Sequence, residues 1–241
     1  MKDCTFIENI ANSGGGAMLT HHGCTQIENK LFKENNAAIG AGIAFSSIIG
    51  NDDCINTISS SEFIKNIGSE ATGGAIHIND RYINITATND TLKTQDWVYT
   101  SKDTMNMTGI LYINGSKFRN NKAPNFGAAI GISRHWMNDD KLESKNSFFT
   151  LSTPVKYNIT ISNCDFTTNL LTNNDNTDEE HGGAAFGWLI EQDSVSFVAL
   201  KDSTFYSHST VSQGGAIFVT CYGCTSSYSR NLIHSLYGCQ C

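Results

Sequence analysis

The sequence predicts an all-β solenoid of stacked parallel strands, and three observations carry that reading. A short pattern recurs six times: a Phe, in five copies an Asn three residues on, then a small-residue tetrapeptide that opens an aliphatic run. Residues at fixed offsets from each Phe keep their chemical type from copy to copy. No single copy holds enough apolar surface to fold alone, so the copies must stack and share one core.

The anchors are Phe6, Phe32, Phe63, Phe118, Phe166 and Phe205. Five positions upstream lie Ile27, Ile58, Ile113, Ile161 and Leu200, one inward column of a strand. Two positions upstream lie Cys4, Ser61, Ser116, Cys164 and Ser203, all small, with Lys30 the exception. Three positions downstream lie Asn9, Asn35, Asn66, Asn121 and Asn169, and His208 breaks the column. Stacking sets like over like, so the Phe residues form an internal column and the Asn residues an amide ladder at a turn.

The tetrapeptides are Gly15-Gly16-Ala17-Met18, Gly73-Gly74-Ala75-Ile76, Gly127-Ala128-Ala129-Ile130, Gly182-Gly183-Ala184-Ala185 and Gly214-Gly215-Ala216-Ile217, with Ala41-Gly42-Ile43-Ala44 a looser copy. Their Gly pairs suit a corner that needs positive φ, or a close approach between neighbouring coils. Beyond them Ile76-His77-Ile78, Ile130-Gly131-Ile132 and Ile217-Phe218-Val219 set aliphatics on one face at period two. At a parallel spacing of ~4.8 Å, six coils span only ~24 Å from first to last.

This F-x-x-N … G-G-A-[ILV] pattern resembles the polymorphic outer membrane protein repeat, known from chlamydial surface adhesins and from many secreted or surface proteins of protists. The resemblance runs from Cys4 to about Val219. It implies a right-handed parallel β-helix of pectin-lyase type, about six coils with lateral loop insertions, at a cell surface or secreted. In a bacterial autotransporter passenger that place is the outer membrane. It also implies adhesion to a host or neighbouring-cell surface protein or glycan. The chain departs from the pattern at Ala41-Gly42, at His208 and in its long insertions.

With 241 residues and 39% apolar content the chain can bury a continuous core. It reads as one repeat domain over 1–220 and a Cys-rich tail over 221–241. The tail begins a further coil, because Leu236 to Gln240 aligns with Ile113 to Lys117. Two Pro against 21 Gly suit turn-rich β structure. A net charge of −7 without a Lys/Arg cluster argues against a nucleic-acid partner. No stretch approaches the roughly 20 apolar residues of a membrane helix. Neither end carries a signal peptide or the polar cap of a terminal solenoid repeat, so the sequence reads as part of a longer protein.

Insertions interrupt the pattern at 86–109, 133–157 and 172–181, the last polar and acidic. Long insertions in a regular scaffold carry recognition or are tolerated surface drift, and both readings stand. Five Asn-x-Ser/Thr sequences occur, at Asn84, Asn89, Asn106, Asn114 and Asn158. They are glycan acceptors in a secreted eukaryotic chain, or the chance product of an Asn- and Thr-rich composition. Asn114 and Asn158 flank strands, which makes Asn84, Asn89 and Asn106 the better acceptors.

Eight Cys point to an oxidising compartment. Cys4, Cys164 and Cys239 fall in the column otherwise filled by Ser, where stacking explains them without bonding. Cys24 and Cys54 precede Phe32 and Phe63 at similar offsets, where a disulfide between neighbouring coils fits as well as two thiols. Cys221-x-x-Cys224 with Cys239-x-Cys241 is a thiolate set that disulfides explain better than zinc, given the Ser- and Tyr-filled gap.

Asn176-Thr177-Asp178 matches one box of the polygalacturonases, but that family's G-H-G and R-x-K boxes are absent. Asp52-Asp53, Asp139-Asp140, and the run Asp175, Asp178, Glu179 and Glu180 read as solvated turn carboxylates. His21-His22 and His181 lack a third ligand at a defined spacing, and no Lys-Ser/Thr follows Gly14-Gly15-Gly16 to make a phosphate loop. The sequence therefore reads as a non-enzymatic surface or secreted scaffold with no cofactor, no metal and no catalytic residue. The alternative is a polysaccharide lyase or hydrolase on the same rod.

Overall fold

The computed structural model describes residues 4–20, 24–46, 48, 54–69, 72–79, 108–133, 156–172, 182–191, 197–210, 214–222 and 233–237. Every regular element among them is a strand, and every strand pairing is parallel. The inner coils pass through four sheets in turn. An entry sheet stacks Gln26–Glu28, Ile55–Ser59, Thr108–Asn114, Lys156–Ser162, Phe197–Lys201 and Ile233–Tyr237. A Phe sheet stacks Thr5–Ile7, Leu31–Lys33, Glu62–Ile64, Lys117–Arg119, Asp165–Thr167 and Thr204–Tyr206. A short sheet holds Asn36–Ala37, Ile67–Gly68, Lys122–Ala123 and Leu170–Leu171. An exit sheet stacks Met18–Thr20, Ile43–Phe45, Ile76–Asn79, Ile130–Ser133, Phe186–Glu191 and Ile217–Tyr222. The protein is a parallel β-helix of about six coils.

Equivalent residues pair directly from coil to coil. The six anchoring Phe residues are mutual partners in one unbroken row. Ile27, Ile58, Ile113, Ile161 and Leu200 form a second row, all buried. Both rows point inward and, with the Ile and Phe residues of the exit strands, make one continuous hydrophobic core. The tail joins the same order. After a register shift between Val198 and Leu200, Leu236 pairs with Leu200 and Tyr237 with Lys201, so the entry sheet carries on into residues 233–237. The exit strand Ile217–Tyr222 meanwhile crosses the domain boundary expected at residue 220.

Two of the Gly tetrapeptides sit one residue away from the positions expected of them. Ile130 pairs with Phe186, which sets Gly183-Ala184-Ala185-Phe186 level with Gly127-Ala128-Ala129-Ile130. Gly183, at φ +66°, is therefore the corner, and Gly182 lies one step earlier, bridged to Phe126. In the second coil Ile43 pairs with Ile76, so the corner is Gly40, at φ +56°, followed by Ala41. The cause is steric. Only the first tetrapeptide residue has positive φ, and a Cβ there meets backbone of the coming strand, as at Gly183 with the Phe186 carbonyl.

Each Phe strand ends on a single left-handed residue, and each from Leu31–Lys33 onward is also preceded by one, usually not Gly. Before the strand these are Asn29, Ser60, Gly115, Asn163 and Asp202. After it they are Glu8, Glu34, Lys65, Asn120, Thr168 and Ser207, with φ between 51° and 56°. Such a conformation costs an L-residue about 1–2 kcal/mol. The ladders described next hold it in place.

Candidate functional site

The polar residues that the repeat pattern singles out lie inside the rod. The Asn column forms a ladder in which Nδ2 of each residue donates to Oδ1 of the next: Asn9 to Asn35 at 2.7 Å, Asn35 to Asn66 at 2.8 Å, then Asn66 to Asn121 and Asn121 to Asn169 at 3.0 Å. The same Oδ1 accepts the backbone N–H of the preceding Asn, as from Asn66 to Asn121 at 3.0 Å. The second Nδ2 proton goes to the carbonyl of the preceding coil's Phe, as from Asn121 to Phe63 at 3.0 Å. Each inner Asn thus satisfies several buried groups at the turn that follows its Phe strand. Beside this ladder the Phe rings stack at centroid spacings of 4.7–4.9 Å, within 8° of parallel.

The small column at the other corner is a hydroxyl ladder. Ser61 Oγ accepts the backbone N–H of Lys30, and Ser116 Oγ that of Ser61, both at 3.2 Å. Ser203 Oγ does the same for Cys164 at 3.2 Å, and donates to its own Lys201 carbonyl at 2.8 Å. Cys164 takes a rung of this ladder, with its Sγ 3.2 Å from the Ser162 carbonyl and the Ser116 backbone against it. Burial pushes its thiol up to about 11, against the pull of the Ser116 and Ser162 backbone. A protonated, buried thiol is a poor nucleophile, so Cys164 is structural.

His208 stands where the sixth Asn is expected. Its ring lies edge-on to Phe205 at 6.3 Å, and burial pulls its pKa down against the Asn169 and Phe166 backbone. Cys24 and Cys54 are bonded as a disulfide that ties the second coil to the third. Among the described residues no group of three His, Cys, Asp or Glu side chains is placed to hold a metal ion. No helix among them is long and apolar enough to cross a membrane. The proposed acceptors Asn84, Asn89 and Asn106, and Cys224, Cys239 and Cys241, lie outside the described residues, as do His21, His22 and the carboxylates of the acidic run. Cys221 falls in the exit strand opposite Ile190.

The outer surface is organised by where the chain leaves the rod. Segments 80–107 and 134–155 both depart from the end of an exit strand and rejoin at the start of an entry strand. Their departure points, Asn79 and Ser133, are direct strand partners, and so are their return points, Thr108 and Lys156. The two longest insertions therefore spring side by side from one corner of the cross-section. Segment 192–196 uses the same corner a coil further on, between Glu191 and Phe197. The Phe sheet by contrast carries a compact outer face, with ion pairs of 3.3 Å from Lys65 to Glu34 and 3.4 Å from Lys117 to Glu62.

The repeat pattern did not reveal why the second residue of three successive exit strands varies from His77 to Gly131 to Gly187. These positions lie under the corner of the preceding coil. A Cβ on Gly131 would strike Thr72, and one on Gly187 would come within 2.9 Å of Phe126. His77 is buried against Gly40 and Gly73, which have no side chain to oppose it. Large and small residues alternate between the two layers. The signal is a pairwise one across coils, not a column.

No family model, curated protein or solved structure matches this chain. The fold and its ladders define a class all the same, an in-register parallel β-solenoid braced by Phe, Asn and Ser columns.

Proposed function

We propose that this protein is a non-enzymatic surface or secreted scaffold that presents lateral segments for adhesion to a cell-surface protein or glycan. The observation that carries the reading is the pairing of Asn79 with Ser133 and of Thr108 with Lys156. It roots two long insertions next to each other on a rigid rod, the arrangement by which repeat scaffolds build a recognition surface. The Cys24–Cys54 disulfide supports an oxidising setting outside the cytosol. The resemblance of the repeat to polymorphic outer membrane protein repeats supports the adhesive role, as an analogy.

The test replaces residues 81–106 by a short Gly-Ser turn and compares adhesion of protein-coated beads to cells. Circular dichroism of the variant verifies that the rod is intact. Loss of adhesion with an unchanged β spectrum supports the reading. Equal adhesion by both proteins, or recovery of the native protein only from the cell interior after protease treatment of intact cells, overturns it. Release of soluble oligosaccharides from a polysaccharide substrate points to the enzymatic alternative.

A further inference from the structure

We infer that Asn114 is an acceptor for an N-linked glycan when the chain enters a eukaryotic secretory pathway. The setting rests on the surface reading above; the site rests on the geometry of one corner. Asn114-Gly115-Ser116 has the acceptor sequence. Its position at a strand end counts against it in the sequence, yet the fold presents it well.

Asn114 ends its entry strand with an exposed side chain. Its Oδ1 accepts from Ser162 Oγ at 3.0 Å and from Asn163 Nδ2 at 2.9 Å, both in the next coil. These bonds fix the carboxamide, and no hydrogen bond among the described residues uses its Nδ2, the atom that takes the sugar. The space beside it is open. Gly115 holds φ +61°, and a Cβ built there meets only Ser60 Oγ, 3.9 Å away. Asn158, the other described acceptor sequence, differs. It lies within a strand, half-buried, with Ile110 and Phe197 as its partners on either side.

Ser116 sets the order of events. Its Oγ accepts the Ser61 backbone N–H and faces the Asn114 carbonyl at 3.4 Å, wholly buried. A transferase that must contact that hydroxyl reaches it only before this coil packs. In the transfer, Nδ2 forms a bond to C1 of the first sugar of a lipid-diphosphate-linked oligosaccharide. The C1–O bond to the diphosphate breaks, the lipid diphosphate leaves, and one amide proton passes to a base of the transferase. The folded product keeps both Oδ1 hydrogen bonds, because the sugar occupies only Nδ2.

The test expresses the full chain behind a secretion signal in eukaryotic cells, with Asn84, Asn89, Asn106 and Asn158 changed to Gln. One glycosidase-sensitive mobility step, absent from the further variant Asn114→Gln and present in medium that contains the Cys24–Cys54 disulfide, is the expected result. Ser116→Thr keeps the step. No step in lysate or medium overturns the inference, and so does a step confined to the lysate, because the corner then fails to tolerate the sugar. An interior location of the native protein sinks the surface reading alone and leaves this result standing.

Discussion

Asn121 donates from Nδ2 to Oδ1 of Asn169 across 3.0 Å, although 48 residues separate them in the chain. The same amide serves the Phe63 carbonyl, and its own Oδ1 takes both the backbone and side-chain N–H of Asn66. One buried carboxamide thus joins three coils.

Asn121→Ala leaves two donors of Asn66 without their partner and takes one donor each from Phe63 O and Asn169 Oδ1, the latter keeping only the backbone N–H of residue 121. At about 1–3 kcal/mol per unsatisfied buried group, partly relieved by relaxation, a loss of about 3 kcal/mol or more is expected. Asn121→Asp is worse, since its carboxylate faces two acceptors and has no proton to offer them. Urea midpoints of the two variants check both the size and the order.

Phe118 stacks on Phe63 and Phe166 at 4.9 Å each and is wholly buried. Phe118→Ala is expected to cost about 3–5 kcal/mol, with Phe118→Leu milder. An unchanged melting temperature for the Ala variant contradicts the internal column.

Cys164 fills a position that Ser61, Ser116 and Ser203 fill elsewhere. Cys164→Ser is therefore tolerated, within about 1 kcal/mol, whereas Cys164→Ala gives up a hydrogen-bonding rung and costs about 1 kcal/mol plus its packing. With the thiol near 11, iodoacetamide labels Cys164 only on unfolding. Fast labelling of the native protein contradicts its place in the ladder.

Ser60 holds φ +48° at a corner where the next coil uses Gly115. Relief of an αL penalty of about 1–2 kcal/mol, set against about 0.5–1 kcal/mol of added chain entropy, makes Ser60→Gly stabilising by about 0.5–1 kcal/mol. Gly73→Ala goes the other way, because φ is +67° and the new Cβ meets His77 backbone at 2.8 Å. Thermal melts of the two variants should move in opposite directions.

His208 has a folded pKa below its ordinary value of about 6.5, with burial the main cause. The unfolded chain then binds the proton more readily than the folded one, so stability rises with pH across this window. The contribution is complete above about pH 6.5 and is lost as the pH falls toward the folded value. His208→Asn restores the column and should flatten this dependence. A variant with the same pH profile as the parent refutes the assignment.

The columns were legible because stacking repeats the same chemistry at the same offset: Phe118 above Phe63, Ile113 above Ile58, Asn121 above Asn66. The Gly corner was misplaced at Gly182 and at Ala41 because a Gly-Gly string marks the corner only loosely. Which residue takes positive φ is settled by the strand that follows, through Phe186 and Ile43. The left-handed corners at Lys65 and Thr168 left no signal, since neither residue type favours that conformation and the flanking ladders impose it. The setting of Asn114 was hidden for a related reason. Its carboxamide is oriented by Ser162 and Asn163 from the next coil, 48 and 49 residues along the chain.

The central claim is the in-register stack, and cysteine cross-linking tests it most directly. Ile64 and Arg119 are strand partners on the outer side of the Phe sheet, and Thr167 lies one coil beyond Arg119. The pair Ile64→Cys with Arg119→Cys should oxidise to a disulfide identified by peptide mass, while Ile64→Cys with Thr167→Cys should not, at two strand spacings or ~9.6 Å. Cross-linking of the second pair in preference to the first would contradict the stack.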